Sequence, residues 1–352
     1  MKKIIAPVLV LAALALAACS KGGSAASSPA SPDASKAAAP AKLRIALILP
    51  GSMNDGGWNA AAYRGLMDLK DEGYEVAFTE NVEISSIEET LHNYAANNFD
   101  LVIGHGFECG EPVMRVSESY PGVRFFVSGK MPDGVGEADI PANVGFMDMK
   151  EYEAAYLAGM VAGGMTKSNI IGYVAGMEIP SQVSDMAAFV KGVAATNPKA
   201  KVYGVVTGTF EDPATGKEAA LAQIDLGADI IAQSADSTGI GVFEAVAERQ
   251  GVNLIGYGAD QYEMQPDRVI TCFITDNPSA IKLQAKRIEE GSFGGLWSPG
   301  IADGICFISP YHNFESRIPQ SLKEQVETAI KDISSGKLVV PAIYERIDEK
   351  LK

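Results

Sequence analysis

The 352-residue sequence is poor in the residues that most often carry catalysis and metal binding. Its three histidines, His92, His105 and His312, stand too far apart in sequence for the ligand spacing of a zinc motif. No G-x-S-x-G elbow occurs, and "DPATGKEAA" fails as a phosphate-binding loop because Glu218 follows Lys217. The sequence therefore predicts a protein that is not an enzyme and that uses no metal and no other cofactor.

Basic residues are also scarce. The chain has 29 Lys and Arg against 44 Asp and Glu, which gives a formal net charge of −15, or −17 once Lys2 and Lys3 are removed with the leader described below. Each contact with a nucleic-acid phosphate needs a Lys or an Arg. An acidic balance of this size therefore disfavours nucleic acid and anionic membrane surfaces as partners.

Cysteine is limited to four positions, Cys19, Cys109, Cys272 and Cys306, and no C-x-x-C spacing occurs. This pattern excludes the common metal and redox motifs. The last three cysteines allow either one disulfide with one thiol left over, in an oxidising compartment, or three separate buried thiols. We expect separate thiols.

Only one long hydrophobic run is evident, the 15 uncharged residues 4–18 that follow "MKK". A membrane span takes about 20 residues, so this run fits the apolar region of a secretory signal better. Its end, Leu16-Ala17-Ala18-Cys19, resembles the lipobox of bacterial lipoproteins, in which the cysteine is lipidated and becomes the first mature residue. The alternative is an ordinary signal cleaved at a similar site, with Cys19 incidental.

The segment after Cys19 is rich in Ser, Ala, Gly and Pro up to residue 42, and residues 20–42 contain no aromatic and no branched aliphatic side chain. Such a segment cannot bury apolar surface and is expected to stay disordered, spanning roughly 25 Å r.m.s. as a flexible tether. We therefore predict a signal peptide over 1–18, a lipidated Cys19 and tether over 19–42, and an extracytoplasmic body attached to a bacterial membrane through the lipid alone.

From residue 43 onward, short apolar strands alternate with helical stretches, which indicates parallel sheets covered by helices on both faces. The segment "EETLHNYAANNFDLVIGHG" (88–106) aligns without a gap with "KEAALAQIDLGADIIAQSA" (217–235). This repeat predicts an α/β protein of two similar, doubly wound lobes. We expect lobe 1 to comprise 43–150 plus about 273–310, and lobe 2 to comprise 151–272 plus about 311–352.

Loops at the carboxyl ends of parallel strands bind ligands, so the facing loops of two lobes should line one cleft. Trp58 and Phe210 would then grip a flat ligand between two rings. Carboxylates can accept from ligand hydroxyls, and amides can both donate and accept at the edge of a heterocycle. The predicted ligand-binding residues are Asn54, Trp58, Asn59, Phe107, Met177, Phe210, Asp236 and Asp260.

Several of these residues also have a purely structural interpretation. Asp236 precedes "STGIGVFEAVAERQG", so it or Ser237 can cap that helix. Asp55 suits a turn former better than a ligand contact. Trp58 can pack on the surface of its lobe, and Phe210 can belong to the core.

Together with the lipobox and the tether, a series of segments in the body resembles the basic membrane protein family of bacterial lipoproteins. These segments are "NDGGWNAAAYRG", "YAANNFDLVIGHGFE", "EAAYLAGMVAG", "IGYVAGMEIP", "GTFEDPATGKEAAL", "QSADSTGIGV" and "IGYGADQ". The resemblance covers nearly all of 43 to about 340. It implies a type I periplasmic-binding-protein fold with crossover strands, and delivery of a small molecule to an ABC (ATP-binding-cassette) permease. It also implies a purine stacked between Trp58 and Phe210, with Asp260 holding ribose hydroxyls.

The sequence departs from this family in ways that affect the ligand. Trp58 stands where many relatives have Phe, which preserves stacking, and Asp236 stands where nucleoside binders commonly have Gly. Ile274-Thr275-Asp276 occurs where relatives often place a cleft Lys. A purine nucleoside and a free nucleobase both stay open. Two further alternatives are another planar or sugar-like metabolite bound by the same fold, and a protein of another class, either a cell-surface enzyme that acts on nucleosides or an adhesin.

Overall fold

The strands of the described chain, residues 42–344 of the computed structural model, assemble into two six-stranded sheets. The predicted signal peptide, Cys19 and the tether up to residue 41 lie outside the described residues, as do residues 345–352. In chain order the strands are β1 Arg44–Ile48, β2 Glu75–Thr79, β3 Leu101–His105, β4 Arg124–Ser128, β5 Val144–Met147, β6 Ile170–Ala175, β7 Lys201–Val206, β8 Ile230–Ser234, β9 Asn253–Gly258, β10 Val269–Thr275, β11 Gly295–Trp297 and β12 Cys306–Ile308.

Helices follow most of these strands. They are α1 Trp58–Asp71, α2 Ile87–Ala96, α3 Gly110–Ser117, α4 Glu151–Met165, α5 Pro180–Thr196, α6 Pro213–Asp225, α7 Asp236–Ala247, α8 Asn277–Glu289 and α9 Gln320–Ser334. Two helix starts follow simple capping rules: Asp212 accepts the N–H of Ala214 and Asp276 accepts the N–H of Ser279, each at 3.0 Å.

The two sheets have the same strand order. The first runs β2-β1-β3-β4-β5-β11 and the second runs β7-β6-β8-β9-β10-β12, so each strand of the first sheet has a counterpart in the second. Neighbouring strands are parallel except that β12 is antiparallel to β10. The predicted α/β fold of two similar doubly wound lobes is confirmed.

Strand pairing shows where the chain leaves the second sheet and where it returns to it. β10 pairs with β9 from Val269 to Ile274, so the second sheet continues past residue 272. β12 also belongs to the second sheet, because Cys306 to Ile308 pair with β10. The chain therefore leaves the second sheet at Asp276 and reaches it again by Cys306.

Three segments cross between the lobes: 148–150, Asp276, and 298–305. The third segment is hydrogen-bonded to the other two, since the N–H of Lys150 donates to the Pro299 carbonyl at 2.8 Å and the N–H of Asp276 donates to the Ile305 carbonyl at 2.7 Å. α8 packs on α1 of the first lobe, and α9 packs on α4 of the second. The final helices thus complete one lobe each, as the sequence pattern predicts.

Both β3 and β8 are buried along their whole length, because helices cover both faces of each sheet. Their last residues, His105 and Ser234, lead directly into loops at the carboxyl ends of the sheets. Cys109, Cys272 and Cys306 are separate buried thiols. Among residues 42–344, no helix combines the length and the apolar character that a membrane crossing needs.

Candidate functional site

The loop between β1 and α1 is organised by Asp55, which is 1% exposed. Its carboxylate accepts the backbone N–H groups of Gly57 at 2.8 Å, Asn59 at 2.8 Å and Ala60 at 2.9 Å, which would otherwise be unsatisfied at the start of α1. It also accepts the side-chain amide of Asn59 at 2.8 Å. Asp55 is therefore the turn and cap residue of this loop, and it holds the first residues of α1 in place.

Trp58, the first residue of α1, stacks on a ring from its own lobe. Its indole lies flat against His105, with ring centroids 4.4 Å apart and planes inclined by 20°. His105 is fully buried, and its Nε2 lies 3.2 Å from the Trp58 carbonyl oxygen, which can only accept, so Nε2 carries the proton. Burial lowers the pKa of His105 to about 3, so the ring is neutral. His105 is thus a rigid support beneath the half-buried indole.

Phe210 has a comparable support in the second lobe. Its ring lies over Gly176, where any Cβ would overlap it. Its carbonyl accepts the N–H of Thr238 in α7 at 2.9 Å, which fixes the loop that carries the ring. Within the described chain Trp58 and Phe210 do not stack on each other. Each ring is instead positioned by a neighbour in its own lobe.

The loops that carry these rings meet across the cleft. A Cβ at Gly57 would lie 3.3 Å from Oδ1 of Asp236, and a Cβ at Gly51 would lie 3.1 Å from Oε1 of Glu211, the residue after Phe210. Gly258 of β9, in a left-handed conformation with φ of 77°, approaches the backbone of Gly57 in the same way. The two lobes are therefore in contact beside both rings.

A direct hydrogen bond also joins the lobes at this point. The side-chain amide of Gln261 donates to the Gly56 carbonyl at 3.3 Å. Its own carbonyl accepts from the Gln233 amide at 2.9 Å and from the Tyr257 N–H at 3.0 Å, so the Gln261 side chain is held in one orientation. Sequence reasoning missed the roles of Gln233, Gln261 and His105. The only sequence signal was their position, at or near the carboxyl ends of β8, β9 and β3.

The contact region is acidic. Burial raises the pKa of Asp236 well above its usual range, and the charges of Asp55, Glu211 and Glu151 raise it further, whereas the Trp58 N–H lowers it. Burial also raises the pKa of Glu211, and the charge of Asp55 adds to this effect. None of the ion pairs between residues 42 and 344 involves Asp55, Glu211 or Asp236.

The remaining predicted residues differ in their surroundings. Asn54 is exposed, as are the large side chains of Phe107 and Met177, at 48% and 42%. Asn59 is 3% exposed, and its amide is directed at Asp55 and the Gly51 N–H within the loop. Their contacts with a ligand stay a prediction.

Asp260 has a partner that the sequence did not suggest. Its Oδ2 lies 2.7 Å from Nε2 of His312, and the His312 ring stacks on Tyr262 with centroids 4.1 Å apart. The other oxygen, Oδ1, accepts the Tyr262 N–H at 3.2 Å. Both oxygens of Asp260 therefore have partners within the protein, and a contact with a ligand hydroxyl stays a prediction.

Two similar α/β lobes are joined by three crossings and meet through ring-bearing loops at the carboxyl ends of their strands, which is the architecture of two-lobed solute-binding proteins. The chain belongs to the family of PnrA-like ABC transporter substrate-binding proteins, whose family model matches residues 42–338. Members of this family bind a small molecule outside the cytoplasm for an ABC permease. The resemblance noted in the sequence is confirmed.

Individual relatives agree with this assignment. A purine-binding protein of Brucella abortus is 28% identical over 303 residues, covering 84% of this chain and 82% of the relative. A Haloferax volcanii protein named as an ABC transporter glucose-binding protein, TsgA13, is 28% identical over 302 residues, covering 85% and 74%. The solved structure of an ABC transporter solute-binding protein from Conexibacter woesei matches with a TM-score of 0.72 and 28% identity, covering 86% and 100%.

Proposed function

We propose that the protein is a lipid-anchored receptor of an ABC importer that binds a purine nucleoside or nucleobase between its two lobes. The observation that carries the proposal is the pair of rings beside the interlobe contact. Trp58 is held on His105 and Phe210 is held over Gly176, so each lobe presents one pre-positioned aromatic face. Stacking is worth about 0.5–1.5 kcal/mol per aromatic pair beyond the area it buries. Two faces on one purine would therefore contribute about 1–3 kcal/mol.

The mechanism follows from the position of the proposed binding slot, which is the space between Trp58 of the first lobe and Phe210 of the second. A ligand touches both rings only when the lobes are together, so its binding free energy favours the closed form. The hydrogen bond from Gln261 to the Gly56 carbonyl and the approach of Asp236 to Gly57 belong to that form. The permease would then recognise the closed receptor, which signals that ligand is present.

The names of two relatives define the competing ligand classes. The Brucella relative is named for purines and favours the proposal, whereas the Haloferax relative is named for glucose and supports a sugar as the second candidate. A sugar would share the cleft and the carboxylate acceptors. It would gain less from flat contact with Trp58 and Phe210, because a sugar ring has no π-face of its own.

Isothermal titration calorimetry with the tether-free body distinguishes these classes. Adenine, adenosine, guanosine and glucose are the probes, and Trp58→Ala and Phe210→Ala are the site variants. Phe307→Ala, at an aromatic position 37% exposed on β12, is the matched control. The proposal predicts purine binding that either site variant weakens and the control leaves unchanged. Glucose binding without purine binding would select the second candidate.

The anchor is tested separately, because it depends on residue 19 alone. Cells that express the full chain should incorporate labelled palmitate into the wild type but not into the Cys19→Ser variant. The labelled protein should partition into detergent. Equal labelling of both forms would show that Cys19 is not the lipidation site, and release of an unlabelled protein would indicate an ordinary signal peptide.

A further inference from the structure

Asp236 occupies an unusual backbone position. It is the first residue of α7, directly after β8, and its φ of 46° lies in the left-handed region. Such a conformation is easy for glycine and unfavourable for an aspartate by sterics alone. The chain thus places a carboxylate at a position where a side chain costs stability, which is common at binding sites.

The Asp236 carboxyl group also has an unsatisfied hydrogen-bond acceptor. Its Oδ1 is buried and has no hydrogen-bond partner within residues 42–344. Among the described residues, the backbone N–H of Trp58 in the facing lobe is the one donor that lowers the pKa of this carboxyl group. A carboxyl group can accept hydrogen bonds in either protonation state, so a buried carboxyl oxygen without a donor is unfavourable. A ligand N–H in the slot would satisfy it.

The side chains that face Asp236 are all acids. Asp55 lies on the α1 loop, Glu211 on the loop after β7, and Glu151 at the start of α4, and each of these charges opposes ionisation of Asp236. No Lys or Arg of the described chain acts on its pKa. An anionic ligand would add to this repulsion with no cation to offset it, whereas an N–H donor would relieve it.

We propose that Asp236 is the specificity-determining acceptor of the slot, and that it selects uncharged purines bearing an exocyclic amino group and excludes anionic purines. This inference rests on the proposed purine function. It narrows the ligand to the adenine and guanine type, with the amino group directed at Oδ1 of Asp236. The backbone strain, the unpartnered oxygen and the acidic surroundings all support this assignment.

Two matched ligand pairs test the inference by calorimetry at neutral pH. Adenosine has an exocyclic amino group that purine riboside lacks. Guanosine has an amino group where xanthosine has an oxo group, and this oxo group makes xanthosine anionic. The wild type should bind the amino member at least tenfold more tightly in each pair. Asp236→Asn and Asp236→Gly should reduce both ratios to about threefold or less. Gly suits the φ of 46°, so this variant is expected to fold.

Asp133→Asn, at an exposed aspartate outside the acidic group, is the control and should keep both ratios. Equal binding of the two members of each pair, unchanged in the Asp236 variants, would overturn the inference and leave the purine function standing. Failure of the wild type to bind any of the four probes would overturn both. Loss of all binding in Asp236→Gly with retained folding would show that Asp236 is essential for affinity and not for selection, which also refutes the inference.

Discussion

The stability of the second lobe is expected to depend on pH through a pair of buried acids. Glu151, at the start of α4, is 7% exposed, and Asp185 in α5 is fully buried. Glu151 accepts the Tyr257 hydroxyl at 3.2 Å, whereas neither oxygen of Asp185 has a donor among the described residues. The two carboxyl groups lie within hydrogen-bond reach of each other. A proton shared between the two carboxyl groups would give Asp185 a hydrogen-bond partner.

Burial raises the pKa of Glu151 to about 7, and the charge of Asp148 acts in the same direction, while the hydrogen bonds from Tyr257 and Asp185 lower it. Burial, followed by the charge of Glu151, raises the pKa of Asp185 well above its usual range. The folded state therefore keeps protons that the unfolded chain releases at lower pH. The resulting stability is fully present below the ordinary carboxyl pKa of 4.5 and is lost as pH rises towards 7 and beyond.

The magnitude follows from the shift. A pKa displaced from 4.5 to about 7 corresponds, at about 1.4 kcal/mol per unit, to about 3 kcal/mol lost over that interval from Glu151 alone. Other groups that face the pair are Asp148, Tyr173, Tyr257 and Cys306. Tyr173, Tyr257 and Cys306 are buried, and burial is the largest cause that raises the pKa of each, so they stay neutral here. Asp185→Asn replaces the proton-sharing acid by an amide that needs no proton.

Urea unfolding of wild type and Asp185→Asn at pH 5, 6, 7 and 8, followed by circular dichroism, measures the effect. The difference in unfolding free energy between the two proteins removes the contribution of all other acids. We expect the unfolding free energy of Asp185→Asn, measured relative to the wild type, to rise by about 1–3 kcal/mol between pH 5 and pH 8. Asp133→Asn, at an exposed carboxylate, should track the wild type. A pH-independent difference for Asp185→Asn would refute the shared proton.

Three further predictions concern the slot. Trp58→Ala should weaken purine binding roughly 10- to 100-fold, about 1.4–2.8 kcal/mol, as measured by calorimetry. Because the indole is partly buried and packs against the core and His105, thermal unfolding should also show a lower Tm. His105→Ala leaves a cavity beneath the indole, so it should lower the unfolding free energy by about 2–4 kcal/mol and also weaken purine binding. His105→Phe keeps a flat ring beneath the indole and should retain binding. Equal affinity of the two variants would show that His105 does not support Trp58. Gln261→Ala removes the hydrogen bond to the Gly56 carbonyl, which is worth about 0.5–1.5 kcal/mol. The variant should bind purine roughly threefold to tenfold more weakly, and solution scattering should show a larger radius of gyration because the lobes open. An unchanged affinity and radius of gyration would contradict this role.

Much of the fold could be predicted because it depends on local patterns. Apolar strands alternating with helical stretches, and the gap-free match of 88–106 with 217–235, were enough to predict two like lobes. The end of β10 could not be predicted in this way, since the run "VITCFIT" contains no residue that marks where the strand ends. Its end is set by pairing with β9 and β12, which the sequence does not display.

In the site, too, contacts between residues close in sequence could be predicted and contacts between distant residues could not. The structural interpretation of Asp55 follows from its neighbours in sequence, because the N–H groups it accepts lie within five residues. The support of Trp58 by His105 and the pairing of Asp260 with His312 join residues 47 and 52 positions apart. Such contacts depend on how strands are ordered in the sheet, and a single sequence gives no direct sign of them.

The interleaved course of the chain has a consequence for dissection. A fragment ending at Met149 would contain β1 to β5 but would lack α8, which covers α1, and β11, which covers the edge of β5. The face of α1 around Gly65, which packs closely on Pro278, would be open to water. Such a fragment can therefore not be expected to fold alone. The first lobe is complete only when α8 and β11, which ends at Trp297, have joined it.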